Sequence, residues 1–122
     1  MGEYDVGQPI PRTEDPRLLT GGGRYSDDYT LPHQLRGYVL RSPHAHAKIL
    51  SIDSTAASAM PGVKAVLTAQ DYRADGYGDL ECGSRWNADQ YQPPNPPLAL
   101  DRARFVGDGV AFVIAESINQ AK

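Results

Sequence analysis

One cysteine, Cys82, is all that the 122 residues hold. An intramolecular disulfide is therefore excluded, as is a four-thiolate iron–sulfur cluster built within the chain. That usage fits a reducing, cytoplasmic setting. Long apolar runs are also missing. The best, Val110 to Ala115, falls far short of the roughly 20 residues that cross a bilayer as a helix. The opening residues, MGEYDVGQPIPR, lack the basic stretch and apolar centre of a secretory signal. Gly2 superficially suggests myristoylation, but Val6 stands where Ser or Thr is required. No single sign of charge dominates, with 12 basic residues, 15 acidic ones and a net charge of −3. Nucleic-acid binding needs at least an extended basic patch, and none is visible.

What is present is ordinary for a globular protein, with 40% hydrophobic and 22% charged residues. Residues 1–23 read as an extended leader, because Pro9, Pro11 and Pro16 oppose regular helix or central strand. Gly21, Gly22 and Gly23 follow as a mobile or tightly turned segment, and Ser26-Asp27-Asp28 as a turn. Gln34–Arg41 and Lys48–Ile52 have strand character and are expected to be neighbours across the short SPHAHA bend. Asp53 and Ser54 suit the cap of a short helix, TAASAM, which Pro61-Gly62 stops. Val63–Leu67 is a third strand. Thr68 with Asp71 predicts a capping box. Residues 73–97 form an irregular loop containing Pro93, Pro94, Pro96 and Pro97. Phe105 and Val106 are expected to begin an extended piece. Val110–Ala115, apolar on both faces, predicts a buried central strand. Ser117 reads as an N-cap with Gln120 at the reciprocal capping-box position. A helix of only the few residues left does not recover its nucleation cost, so the natural polypeptide is expected to continue beyond Lys122.

Several residues invite a chemical reading. His44 and His46, as i and i+2 on a strand, would share a face and be able to hold one metal. Only Cys82 and His33 remain as further His or Cys ligands, neither at a telling spacing, and a polar turn explains the pair as well. A phosphate loop should follow a strand and open a helix, whereas the triple glycine follows a proline-rich leader, so a connector explains it better. Asp27 and Asp28 would face opposite ways on a strand, and turn chemistry accounts for them. Cys82 would need His44 or His46 as activator to act as a nucleophile, and nothing supplies an orienting third group. Arg85, Trp86 and Tyr91 suit a stacking or docking surface. No catalytic, cofactor-binding or metal-binding residue is assigned.

Four segments, taken in order, resemble one family: PRTEDPRLLTGGGRYSDD (11–28), LPHQLRGYVLRSPHAHAKILSID (31–53), AMPGVKAVLTAQD (59–71) and PPLALDRARFVGDGVAFVIAES (96–117). Together they look like the start of the large subunit of molybdopterin-dependent hydroxylases. That group includes xanthine dehydrogenase, aldehyde oxidase and the aerobic carbon monoxide dehydrogenases. The resemblance covers nearly the whole chain and is weakest over 73–95. It implies an α+β fold, the α/β-hammerhead, with a mixed β-sheet and a few short helices. That domain would run over 24–122 and be incomplete at its C-terminus. The resemblance also implies that the molybdenum-pterin cofactor and the catalytic glutamate lie elsewhere in the parent, and that iron–sulfur clusters, with or without FAD, sit on partner chains or domains. Where the family has Glu or Gln followed by Pro, this sequence has Asp108 and Gly109.

The expected function is therefore a structural and assembly domain of a molybdenum-dependent oxidoreductase, inactive by itself. RSPHAHA is the expected docking element. Its expected partners are the other large-subunit domains and iron–sulfur and flavin subunits, with self-association when alone. The alternative is a non-catalytic binding module on the hammerhead scaffold. A small metal-binding protein using His44 and His46 is a third, weaker idea.

Overall fold

The structure, a computed structural model, describes residues 7, 9–81, 83, 84, 87 and 89–122. The chain forms two compact units, one ending at Pro32 and the other spanning His33–Lys122.

The first unit contains a helix that the prolines were expected to forbid. Helix α1 (Asp15–Leu19) carries Pro16 in its first turn, where the missing N–H has no intrahelical partner to lose. The glycines end it. Gly21, at φ 75°, donates to Leu18 O (3.1 Å), and Gly22 donates to Arg17 O (2.8 Å). That pair of bonds is a Schellman closure, which requires a left-handed residue at Gly21. Ser26–Asp28 forms a 3-10 turn, and Asp28 Oδ2 accepts from Tyr25 N at 2.8 Å.

The second unit is built on a three-stranded sheet in the order β1-β5-β3. These strands are β1 (Arg36–Arg41), β3 (Val63–Thr68) and β5 (Gly109–Ala115). The apolar run Val110–Ala115 is the central strand, as its two-sided hydrophobicity predicts. Both pairings are antiparallel and place Val39, Phe112 and Leu67 in one cross-strand row. The next row, Tyr38, Val113 and Val66, faces the other way. Gly37 lies under the Phe112 ring, where any Cβ would collide with it.

A separate antiparallel ribbon joins β2 (Ala47–Lys48) to β4 (Arg102–Ala103). Lys48–Ile52 thus contributes only its first residue to a strand, and that strand does not pair with β1. Ile49 N still donates to Asp101 O at 2.9 Å, after which the segment is irregular. β1 pairs with β5 along one edge, and the returning chain pairs with β4 in a separate ribbon. Phe105 and Val106 are likewise not extended. They form a turn that ends at Gly107, φ 93°, with Asp108 N donating to Phe105 O.

Short helices fill the gaps. Before α2 (Thr55–Ser58), Asp53 supplies the capping oxygen to Thr55 N at 2.9 Å, while the Ser54 side chain makes no cap bond. Helix α3 (Ala69–Ala74) starts with the predicted Thr68/Asp71 capping box, closed in both directions. Helix α4 (Ile118–Ala121) has the Ser117 cap, whose Oγ accepts from Gln120 N. The Gln120 side chain takes the Ser117 hydroxyl at Oε1 and donates from Nε2 to Pro61 O (3.2 Å), so it does not return to the Ser117 N–H.

The core is small-sided. Among the described residues the buried apolar positions are Leu98 and six alanines, at 69, 99, 103, 111, 115 and 121. Elements approach closely through alanine, and the larger apolar groups are left towards the periphery.

Candidate docking surface

Ser42 follows β1 and is buried. Its N–H donates to Asp108 O and its carbonyl accepts from Gly107 N, both at 2.8 Å. Arg41 Nη1 adds a bond to Gly107 O, also 2.8 Å. The RSPHAHA bend and the Phe105–Asp108 turn are thereby locked to each other. Within the bend, Ser42 Oγ accepts from His44 N (3.0 Å) and donates to His44 O (3.1 Å). Asp108 Oδ2 accepts from Arg104 N at 2.9 Å. This is the local use of the shorter carboxylate at that position.

His44 and His46 lie in the bend itself, both exposed and neither on a strand. The shared strand face that a two-histidine metal site would need does not form. His33 sits in a turn at φ 60° and is also exposed. Cys82, Arg85 and Trp86 lie outside the described residues. Tyr91 is exposed.

The bend and ribbon enclose an open groove of about 310 Å³, with Leu40, Ile49, Leu50, Ile52, Ala103 and Val110 supplying apolar walls. Leu50 is 92% exposed, Phe105 59% and Val106 65%. These apolar groups stand beside the hydrogen-bonded bend in open solvent. Exposed apolar side chains of this kind make the region a candidate contact surface. The sequence signal for it was weak, because the strand character of Lys48–Ile52 gave no sign that Leu50 would be left exposed. Asp101 directly precedes β4, and its backbone carbonyl accepts from Ile49 N. Its carboxyl is held below the ordinary aspartate value first by its bond from Arg102 Nε and further by the charges of Arg102 and Arg104.

Fold and surface together define a small α+β domain with exposed apolar side chains beside its braced bend. Residues 20–122 match the family described as aldehyde oxidase and xanthine dehydrogenase, a/b hammerhead domain, and the chain belongs to that family. It is 44% identical, over 92% of its length, to the nicotine 6-hydroxylase large subunit of Paenarthrobacter nicotinovorans, of which it covers 14%. Quinoline 2-oxidoreductase from Pseudomonas putida 86 superposes with a TM-score of 0.80 at 40% identity, covering 95% of this chain and 14% of that one. A Cu,Mo-CO dehydrogenase in its carbon monoxide reduced state gives a TM-score of 0.74 at 39% identity, over 94% of this chain and 14% of its own. The chain thus spans about one seventh of the length of these relatives.

The family implies a molybdenum-pterin cofactor. Among the described residues no three of His, Cys, Asp and Glu come together as metal ligands. The buried polar side chains, Ser42 and Thr68, are engaged with His44 backbone and with Asp71. No chemical step is assigned to the described residues through that group. No helix among the described residues is long and apolar enough to cross a membrane.

Proposed function

We propose that this chain serves as an assembly domain within a molybdenum-dependent oxidoreductase large subunit and contributes no reacting group. Several facts support the reading. The chain belongs to the hammerhead family, and it covers a small share of relatives named as a hydroxylase, an oxidoreductase and a molybdenum-containing dehydrogenase. The observation that carries it is the pairing of a thin alanine core with exposed Leu50, Phe105 and Val106 around a hydrogen-bonded bend. Burying about 100 Å² of such surface stabilises a contact by roughly 2.5 kcal/mol.

In that setting the large subunit carries the molybdenum-pterin cofactor, which supplies the oxidation of an electron-poor carbon or of CO. Iron–sulfur clusters, and FAD where present, on partner chains or domains take the electrons onward. The residues of this chain orient and hold neighbouring domains. The test is to purify the protein encoded by the natural reading frame from molybdate-supplied cells. Bound molybdenum and substrate-dependent dye reduction are the expected results. A matured protein without molybdenum overturns the enzyme reading and leaves the binding-module alternative.

A further inference from the structure

A second groove, of about 340 Å³, opens on the Phe112 face of the three-stranded sheet. The cross-strand row Val39, Phe112 and Leu67 lines its floor, and Leu98 closes one side. Tyr72 and Tyr77 stand opposite, ring centroids 5.0 Å apart and planes inclined by 32°. Asp71 and Asp75 add two carboxylates to the lining, and no Lys, Arg or His among the described residues lines it. The nearby Arg73 is paired with Asp79.

The two carboxylates differ in what the fold requires of them. Asp71 closes the capping box of α3 and accepts from the Thr68 hydroxyl and N–H, both at 2.7 Å. Asp75 makes no side-chain hydrogen bond or ion pair among the described residues. It sits at the C-cap of α3, where unpaired carbonyls already place partial negative charge, so a carboxylate there is mildly unfavourable. Asp75 is thus exposed and, among the described residues, unpaired, free to meet an incoming cation.

We propose that this groove receives an arginine side chain from the protein surrounding the domain. The aliphatic stem lies on the Val39–Phe112–Leu67 floor, and the guanidinium meets the tyrosine rings and Asp75. Apolar floor, aromatic wall and acidic rim match the three parts of an arginine: stem, planar face and charge. The groove is open on one side, as suits a side chain presented from a facing surface. Because the chain covers about one seventh of its relatives' length, most of the protein that would face it lies outside this chain. The proposal rests on the assembly reading above.

The test titrates the 122-residue chain at low salt with acetyl-Leu-Arg-Leu-amide and its neutral isostere carrying citrulline, following aromatic NMR signals. Saturable shifts are expected at Tyr72, Tyr77 and Phe112, with the arginine peptide bound about five-fold more tightly. D75N should erase that preference while leaving the rest of the spectrum native, since Asp75 is exposed. Equal binding of the two peptides, or no shifts at the groove, overturns the proposal. Binding of benzyltrimethylammonium without binding of the arginine peptide also overturns it, in favour of a small organic cation. None of these results touches molybdenum content, so failure here and failure of the assembly reading are separate outcomes.

Discussion

Gly62 joins two constraints, and its replacement by alanine separates them. Its φ is 86°, in the left-handed region, where a Cβ costs roughly 1–2 kcal/mol. A Cβ there would also strike the end of the Gln120 side chain. That side chain is flexible and can withdraw, at the loss of its bond to Pro61 O and its contact with Ser117, a further ~1 kcal/mol. Gly62→Ala should therefore destabilise the chain by about 2–3 kcal/mol. Gln120→Ala alone should cost about 1 kcal/mol. In the Gln120→Ala background the glycine change should cost only the backbone part, leaving a coupling of about 1 kcal/mol. Urea unfolding followed by circular dichroism, with all four proteins sharing one m-value, measures this. Equal cost in both backgrounds would refute the tie between α4 and the start of β3. A cost below about 0.5 kcal/mol would refute the left-handed backbone as well.

Thr68→Val removes the capping hydroxyl of α3 and should cost ~1 kcal/mol in urea unfolding. The Asp71 carboxyl is held below its ordinary value of 3.8, first by the Thr68 side chain and then by the Thr68 N–H. A lowered folded pKa stabilises above that ordinary value and loses its effect as pH falls through the folded one. Asp71→Asn should therefore flatten the loss of stability below about pH 4, and an unchanged acid limb would argue against the cap. Ser42→Ala leaves His44 N unpaired and should cost about 1–2 kcal/mol, with NMR shifts spreading to residues 105–108 across the locked turn. Leu50→Lys with Phe105→Lys should change stability by less than about 0.5 kcal/mol per site, because both are exposed. The parent chain should self-associate as concentration rises, through its apolar surface and the open edges of β1 and β3, and the double variant should do so less. Light scattering decides it, and a monodisperse parent over a wide concentration range would contradict the prediction.

Local chemistry was the most legible part of the sequence. The Thr68/Asp71 box and the Ser117 cap each depend on residues at most three apart, and both form. The central strand was visible because only a position flanked on both sides explains an apolar run like Val110–Ala115. Helix α1 was missed because Pro16 was weighed as a breaker, although in a first turn it opposes nothing. The pairing of β2 was missed because proximity in sequence favoured β1, whereas its partner β4 lies far along the chain, Ala47 opposite Ala103. The candidate docking surface was only half legible. RSPHAHA stood out as a polar bend, but the Ser42–Gly107–Asp108 bonds that brace it span more than sixty residues, and no local pattern announces them. The turn at Phe105–Gly107 was hidden by strand-forming side chains, whereas Gly107 and Asp108 set the backbone.

The most direct test of the assembly role compares the full protein with and without Leu50→Lys and Phe105→Lys, measuring bound molybdenum and substrate turnover per molybdenum. An assembly role predicts a smaller molybdenum-loaded, assembled fraction with turnover per molybdenum unchanged. Full molybdenum loading with turnover per molybdenum lost would contradict it and place this domain in the chemistry itself.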